Sequence, residues 1–400
     1  MLAEAPPSPL HVLRTHSDPV TTIFCSTDNE RIYSGDAKGR VVLTSTRSLR
    51  PTASWLAHTD ALLGIEEFIE KNQVFTHGRD NKIHVWQRPE ESIPSIRQGG
   101  AATLTESSTP MLSYSIDVNA LNYCRFSLLI PSPDAAREGT ALIAVPNLVE
   151  SSLADIWTLP HLQRLHAAIG DSQNTKFSDG RSGAKTGIIM AMHLFYALQI
   201  LPSTSTVPME LRLLCAYEDG GVILHRRVAP SGTQTIEGKG WEAIWRCKLH
   251  VESVMAMVVS KDSRFALTVS ADHLVGKYDL TCGKTETGTL DPGTVFRTKN
   301  PGNGAVAIRD DGRVCAVGGW DGKVRLYSTK SFKSLGTFVH HKQSCQALKF
   351  ASDVSVTDKN EGDEDDMTLA EKRQRSRWLI TAGKDARVSI WALMSFEKTP

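Results

Sequence analysis

The segment QVFTHGRDNKIHVW, residues Gln73 to Trp86, has the pattern of two short strands joined by a tight turn. Its apolar runs are separated by Gly, Asp, Asn and Lys, which supply the backbone conformations that a hairpin turn requires. The turn aspartate, Asp80, is followed six positions later by an aromatic residue, Trp86. The segment therefore predicts an antiparallel hairpin with a carboxylate at its turn and a large ring on its second strand.

The same pattern recurs four more times along the chain. In each copy an aspartate follows a short apolar run and precedes, by six positions, an aromatic residue or a histidine. The pairs are Asp219 and His225, Asp272 and Tyr278, Asp321 and Tyr327, and Asp385 and Trp391. Self-similarity at a period of roughly 20 to 50 residues is typical of repeat architectures, so this pattern decides the fold.

A histidine precedes several of these turns. The intervals are 22 residues from His58 to Asp80, 22 residues from His250 to Asp272, and 44 residues from His341 to Asp385, where we attribute the excess to an insertion. A histidine in the loop before a strand can hydrogen-bond the turn aspartate of its own unit, which needs partners above a packed hairpin. We therefore interpret these histidines and aspartates as structural rather than catalytic.

The first unit departs from this pattern. His16 lies 22 residues before Lys38, so a lysine stands where the other units carry the turn aspartate. Asp36 is the expected substitute for the missing acid.

This first unit, residues 16–46, and another at residues 118–160 are degenerate copies that add to the five above. Trp157 marks the third strand of the second of these. The total is seven units, which end near residues 44, 86, 157, 225, 278, 327 and 391. The shortest interval, 42 residues, matches the roughly 40 to 45 residues of one four-stranded propeller blade. The sequence thus predicts an all-β, seven-bladed β-propeller that forms a single domain over residues 9–400.

The N-terminal segment PLHVLRT reads as a strand without a partner in its own unit, whereas the last unit has only three clear strands. We expect residues 9–15 to supply the fourth strand of the last blade, which would remove an exposed sheet edge.

Three polar insertions account for the residues in excess of seven blades. They are residues 88–110, 170–186 and 351–377, and their composition predicts loops or disorder. Because strands alternate in direction, 88–110 and 351–377 are expected on the face opposite the aspartate turns. Our hypothesis is that this opposite face carries a partner contact, with Asp363, Glu364 and Arg373 as candidates; the alternative is that both loops are idle.

Composition excludes several classes of protein. The chain has 45 Lys and Arg against 44 Asp and Glu, so no bulk charge favours nucleic acid or an anionic membrane. The most apolar stretch, Gly187 to Leu201, is 15 residues long, shorter than a bilayer span, and is expected in the core. Seven cysteines without a CxxC pair fit a reducing compartment. We expect no direct contact with nucleic acid or membrane.

Catalytic motifs are absent from the sequence. Neither GxSxG nor HExxH occurs, and the adjacent pair His340 and His341 would point to opposite faces of a strand. We therefore expect no enzyme activity, no cofactor and no metal.

The repeats resemble WD40 repeats. The segments HGRDNKIHVWQ and VAIRDDGRVCAVGGWDGKVRLY are in addition similar to the fungal ASTRA-associated protein 1 family, which resembles an animal G-protein beta-subunit-like WD-repeat protein. The resemblance implies a non-enzymatic scaffold subunit of a nuclear ASTRA complex. It also implies three partners: a kinase-like scaffold protein of histone acetyltransferase complexes, the Tel2/Tti co-chaperones and RuvB-like ATPases. The processes it implies are chromatin regulation and the assembly and stability of phosphatidylinositol-3-kinase-related kinases.

A second hypothesis is a peptide reader for a modified tail or a degron, as in a ubiquitin-ligase adaptor. A peptide reader needs an arginine cluster or an aromatic cage around the mouth of the propeller's central channel. The sequence places Arg79, Trp320 and Lys384 directly before turn aspartates. Three or more inward cations on the aspartate-turn face would favour this alternative.

Overall fold

The turn aspartates lie between the second and third strands of four-stranded antiparallel sheets. A computed structural model gives the structure. It describes residues 7–89, 109–119, 121–170, 186–198, 209–228, 230, 233–282, 291–353 and 367–394. Within these ranges the strands form seven such sheets, which are blades 1 to 7 of a seven-bladed β-propeller. The predicted fold class is confirmed.

Blades 1 to 4 take their strands in chain order, from first to fourth. Blade 1 consists of β2 (Val20–Cys25), β3 (Arg31–Asp36), β4 (Arg40–Ser45) and β5 (Pro51–Leu56). Blade 2 consists of β6 (Leu62–Phe68), β7 (Gln73–Gly78), β8 (Lys82–Gln87) and β9 (Leu112–Asp117). Blade 3 consists of β10 (Ser127–Leu129), β11 (Ala141–Pro146), β12 (Ala154–Leu159) and β13 (Gln163–Ile169). Blade 4 consists of β14 (Ile189–Leu198), β15 (Met209–Tyr217), β16 (Gly221–Arg227) and β17 (Trp241–Lys248).

Blades 5 and 6 follow the same order, and blade 7 combines the two ends of the chain. Blade 5 consists of β18 (Val254–Val259), β19 (Phe265–Ser270), β20 (Leu274–Asp279) and β21 (Gly293–Arg297). Blade 6 consists of β22 (Asn303–Ile308), β23 (Val314–Gly319), β24 (Lys323–Ser328) and β25 (Ser334–Val339). Blade 7 consists of β26 (Cys345–Phe350), β27 (Trp378–Gly383), β28 (Val388–Ala392) and β1 (His11–Leu13).

The N-terminal strand completes the last blade, as the sequence predicts. Strand β1 pairs antiparallel with β28, with His11 opposite Ile390 and Leu13 opposite Val388. The Leu10 N–H donates to the Ile390 carbonyl oxygen over 2.7 Å. Leu13 is buried in the same apolar cluster as Ile390, so the strand adds side-chain packing as well as backbone hydrogen bonds.

The described strands fall into two compact units. The first holds residues 1–115, 321–324 and 337–400, and the second holds residues 116–320 and 325–336. The prediction of one domain over residues 9–400 stays a prediction.

The second strand of several blades is buried along its whole length. This holds for every residue of β3, β11, β23 and β27. Continuous apolar runs bounded by turn residues are typical of strands buried on both faces, which is why VCAVGG and WLITAG do not alternate. The stretch from Gly187 contains β14, in which Met192, Leu194 and Phe195 are buried. No helix among the described residues is long and apolar enough to span a membrane.

Part of the insertion 351–377 is a helix, which corrects the prediction of loop or disorder there. Helix α2 spans Leu369–Arg375, and Thr368 caps its N-terminus in a capping box with Glu371. The sequence carried this signal as TLAE, a threonine with a glutamate three residues later. The only other helices of the described chain are α1 (Pro133–Glu138) and a 3₁₀ turn (Ile69–Lys71).

The other loop predictions fall largely outside the described residues. This applies to 90–108, 171–185 and 354–366, and therefore to the candidates Asp363 and Glu364. The insertion 88–110 lies between the third and fourth strands of blade 2, and 351–377 between the first and second strands of blade 7.

Candidate functional site

The turn of blade 2 is fixed by a chain of four side chains. His58, in the loop before β6, places Nδ1 2.8 Å from Asp80 Oδ1 and Nε2 2.8 Å from Thr76 Oγ1. The Trp86 Nε1–H donates to the same threonine oxygen over 2.9 Å. The Thr59 N–H donates to the second oxygen of Asp80 over 3.0 Å. These four side chains connect the turn to the third strand, and each of their buried polar groups has a hydrogen-bond partner.

Blades 5 and 7 repeat this arrangement. His250 Nδ1 lies 3.1 Å from Asp272 Oδ2, and its Nε2 lies 2.8 Å from Thr268 Oγ1. In blade 7, His341 Nδ1 lies 3.0 Å from Asp385 Oδ1, and its Nε2 lies 2.7 Å from Thr381 Oγ1. On the third strands, the Tyr278 hydroxyl lies 3.4 Å from Thr268 Oγ1, and the Trp391 Nε1–H donates to Thr381 Oγ1 over 3.4 Å.

Blade 1 forms the same contact with an acid two positions earlier. His16 Nδ1 lies 2.8 Å from Asp36 Oδ2, so Asp36 takes the place that Lys38 does not fill. In blade 2 the equivalent of Asp36 is Gly78, where an added Cβ would lie 2.4 Å from His58 Nδ1. A side chain at Gly78 would collide with His58 and Asp80, so blade 2 has no room for an acid at the position that Asp36 holds in blade 1.

The remaining blades use other contacts. Asp219 in blade 4 pairs with Arg246 at 2.8 Å and accepts the Gly221 N–H over 2.8 Å. Asp321 in blade 6 accepts the Lys323 N–H over 3.2 Å. The third-strand position is held by a buried His225 in blade 4 and by Tyr327, stacked on Phe332 with centroids 4.7 Å apart, in blade 6.

The electrostatics of these pairs favour a structural role. Burial lowers the pKa of His58 and of His250, although their aspartates oppose the shift. Burial raises the pKa of Asp80, but hydrogen bonds from the Thr59 N–H and from His58 outweigh it, so the pKa lies below its ordinary value. At neutral pH the pair is a neutral imidazole that donates to a carboxylate.

One cluster among the described residues has the composition of a metal site. Ligand atoms of His58, Asp80 and His84 lie within 4.8 Å of one another. However, both nitrogens of His58 are already in hydrogen bonds, and its ring stacks on His84 with centroids 4.6 Å apart and planes 21° apart. Imidazole lone pairs lie in the ring plane, so two stacked rings cannot direct them at one ion. The cluster fits a packed blade better than a metal centre.

The three candidate interaction residues at turns hold one position in their blades. Arg79, Trp320 and Lys384 precede the turn aspartate, and their N–H groups donate over 2.8 to 2.9 Å to the loop before the first strand. Trp320 lies over Gly302, where an added Cβ would be 2.6 Å from the ring, and it is 47% exposed. Arg79 is half-buried and Lys384 is exposed.

The structure does not bring all the candidates together. Arg79 and Lys384 belong to the first compact unit, and Trp320 belongs to the second. Arg373 is exposed on α2, between the first and second strands of blade 7, at the opposite end of that blade from Lys384.

Two features of the turn ends were not found from the sequence. The first is a group of basic side chains around the turn of blade 7. Its members are Arg14, Lys342, Lys384 and Arg387, of which the sequence reasoning named only Lys384. The chain brings them together from three separate segments, so that only the pairing of β1 with β28 shows their proximity.

The second feature is an apolar surface on blade 3, formed by Leu121, Tyr123, Leu148 and Val149. These side chains are 71%, 57%, 47% and 93% exposed. Buried asparagines join the two loops that carry them. Asn119 Nδ2 donates to the Asn147 carbonyl and to Ser151 Oγ, and Asn122 Nδ2 donates to the Ser151 carbonyl, all within 3.0 Å. An apolar pair inside a turn, NLVE, was the available sequence signal.

Comparison with known proteins places the chain in a family. A model of the WD domain, G-beta repeat, matches residues 7–44 and 303–328. The chain is 31% identical to ASTRA-associated protein 1 of Aspergillus flavus, and the match covers 97% of this chain and 98% of that protein. It is 32% identical to the protein of the same name from Verticillium alfalfae, over 96% and 92% of the two chains. The corresponding protein of Schizosaccharomyces pombe is 27% identical, over 97% and 99%.

Proposed function

The chain belongs to the ASTRA-associated protein 1 family of WD-repeat proteins, and from this premise we propose that it is a non-enzymatic scaffold subunit of an ASTRA-type complex in the nucleus. In this role it binds the kinase-like scaffold protein, the Tel2/Tti co-chaperones and the RuvB-like ATPases of that complex. The process it serves is chromatin regulation together with the assembly and stability of phosphatidylinositol-3-kinase-related kinases.

The observation that carries this proposal is the match to the Aspergillus flavus protein over nearly the whole of both chains. A match that covers every blade supports a shared set of docking surfaces, because a repeat protein binds through the surface of its repeats rather than through one pocket.

The chemistry of the turns agrees with a scaffold. The imidazole–carboxylate pairs of blades 1, 2, 5 and 7 have their hydrogen-bonding groups occupied by one another and by neighbouring hydroxyl and N–H groups. A catalytic dyad needs a group free to exchange a proton with a substrate. Propellers also serve widely as platforms for protein contacts, an argument from analogy of fold.

The test is affinity purification of the tagged chain from its native cells, followed by quantitative mass spectrometry. We expect the kinase-like scaffold, co-chaperone and RuvB-like subunits to be enriched over a tagged, unrelated propeller. A chain that recovers none of them, and recovers ubiquitin-ligase subunits instead, would replace the scaffold with the peptide reader.

One observation favours a reader-like contact as a second candidate function. The turn ends of blades 2 and 7 carry Arg79 and Lys384 at equivalent positions, which is the kind of charge a reader uses. The two functions are compatible if the peptide belongs to a partner of the scaffold.

A further inference from the structure

Four basic side chains surround the turn of blade 7. They come from three separate segments of the chain. Arg14 follows β1, Lys342 precedes β26, and Lys384 and Arg387 belong to the turn between β27 and β28. We call this group the blade 7 cation cluster. Because Leu13 pairs with Val388, the residues next to them in the antiparallel ladder, Arg14 and Arg387, emerge at the same end of the sheet.

The carboxylate at the centre of the cluster is recessed and already used. The side chain of Asp385 is 9% exposed, and its oxygens accept from His341 Nδ1 at 3.0 Å, the Lys342 N–H at 3.1 Å and the Arg387 N–H at 3.3 Å. In the described part of the chain, no cation of the cluster forms an ion pair with a carboxylate. The cluster therefore presents four positive charges around one buried negative charge.

The positive potential reaches a neighbouring ring. His340 is half-buried and lies edge-on to Trp391, with ring centroids 6.3 Å apart. Burial lowers the pKa of His340 most; the neighbouring His341 ring and the positive charges of Arg14 and Arg387 lower it further, whereas Asp385 raises it. Like charges gathered around one turn repel one another, and a bound anion would relieve that repulsion.

We propose that the blade 7 cation cluster is a docking site for an acidic peptide segment of a partner protein. The ligand supplies side-chain carboxylates to the lysines and arginines, while the turn backbone stays fixed by its own hydrogen bonds. Electrostatic contacts of this kind raise the rate of association and set the orientation of the partner.

A peptide fits this surface better than a single-stranded nucleic acid. Proteins that bind single strands stack bases on exposed aromatic rings. The aromatic side chain beneath the cluster, Trp391, is buried, and His340 meets it edge-on.

This inference rests on the docking role proposed above and names the chemistry of one partner contact. Its test therefore uses the purified full-length chain and a defined probe, so that its failure leaves the complex-purification result untouched. The probe is a fluorescein-labelled dodecapeptide of alternating Glu and Ser, titrated in fluorescence anisotropy at about 0.05 M salt, where screening is weak. The companion probes are the same peptide with Gln for Glu and a labelled single-stranded DNA dodecamer.

The decisive variant reverses two charges of the cluster, Lys342→Glu with Lys384→Glu. We expect its affinity for the acidic peptide to fall at least about tenfold, the equivalent of about 1.4 kcal/mol. The matched control is Lys330→Glu with Lys333→Glu, two exposed lysines at the turn between β24 and β25 that give the same change in net charge. Thermal melting of both variants at the wild-type temperature establishes that each is folded.

A second readout is the titration of His340 by nuclear magnetic resonance. Addition of the acidic peptide should raise the pKa of His340 in the wild-type chain. It should leave the pKa of His340 unchanged in the variant Lys342→Glu with Lys384→Glu. The proposal is overturned if the acidic peptide does not bind, if both double variants bind it equally, or if the Gln peptide or the DNA binds as tightly.

Discussion

At the scale of the residue, the turn aspartates matter because they supply hydrogen-bond acceptors to buried histidines. His58 has no exposed side-chain surface, and both of its nitrogens depend on partners that the chain supplies from β7 and from the turn. The spacing of histidine and aspartate predicts such pairs, because the first two antiparallel strands of a blade return the chain to the end at which it started. The asparagine contacts of blade 3 could not be predicted in this way, because Asn119 and Asn122 belong to no repeated spacing.

Loss of the turn acid in blade 2 should be costly. In Asp80→Ala the buried Nδ1–H of His58 loses its acceptor, and we expect the free energy of unfolding to fall by about 1 to 3 kcal/mol. Urea denaturation followed by tryptophan fluorescence measures the change.

The matched control for that substitution is Asp219→Ala in blade 4. Asp219 pairs with Arg246, whose side chain is 36% exposed, and within the described residues no buried histidine is hydrogen-bonded to Asp219. We expect a loss of about 1 kcal/mol or less, since exposed ion pairs contribute little. Equal losses in the two variants would contradict the role assigned to the buried histidine.

His225 should make the protein sensitive to acid. Burial lowers its pKa to about 4, whereas an unfolded histidine titrates near 6.5. As the pH falls below about 6.5, the unfolded chain binds a proton that the folded chain excludes, so stability present above that pH is progressively lost. This single group removes about 2 kcal/mol by about pH 5.

The test is His225→Phe, which places an aromatic ring where other blades carry Tyr278 or Trp391. Unfolding in urea at about pH 7.5 and about pH 5 should show a loss on acidification that is smaller by about 2 kcal/mol than in the wild type. An identical loss in both proteins would show that His225 does not drive the acid sensitivity.

At the scale of the element, hairpin chemistry and repeat period were enough to predict the strands. Turn residues fix the joint between second and third strands, and continuous apolar runs identify the buried second strands. Helix α2 was missed because the polar composition around it outweighed its capping signal. Its attachment is tertiary: Met367 is buried against Thr46, and Lys372 Nζ lies 2.8 Å from Glu30 Oε1. Contacts between residues this far apart in sequence leave no local pattern.

Removal of the N-terminal strand should lower the melting temperature sharply. Deletion of residues 1–15 takes β1 away from β28, which leaves the outer edge of β28 unpaired and uncovers the cluster that Leu13 completes. Differential scanning calorimetry of the deleted and full-length chains measures the change, with deletion of residues 1–6 as the control that spares the strand. Melting within a degree of the full-length chain would refute the role assigned to β1.

At the scale of the whole molecule, sequence identifies the blades and the turn ends, but not which turn ends are built for contact. That depends on side chains gathered from separate segments, as in the cation cluster of blade 7 and the apolar surface of blade 3. Single apolar side chains are common on protein surfaces, whereas grouped ones mark interaction sites. The two loops of blade 3 are also held rigid by buried asparagines, which lowers the entropy that binding would cost.

The apolar surface should be needed for assembly with partners, and the double variant Leu148→Glu with Val149→Glu tests this. Leu148 and Val149 are 47% and 93% exposed, and their side chains take no part in the asparagine hydrogen bonds, so the melting temperature should stay at the wild-type value. Recovery of at least one ASTRA-type subunit in affinity purification should fall about tenfold, as expected when charge enters an apolar interface.

The matched control is Val228→Glu with Ile236→Glu, which charges two side chains of similar exposure, 55% and 62%, at the opposite end of blade 4. Equal recovery from both double variants would remove blade 3 from the docking surface, and a folded control that alone loses the subunits would place the contact at the opposite end of the blades.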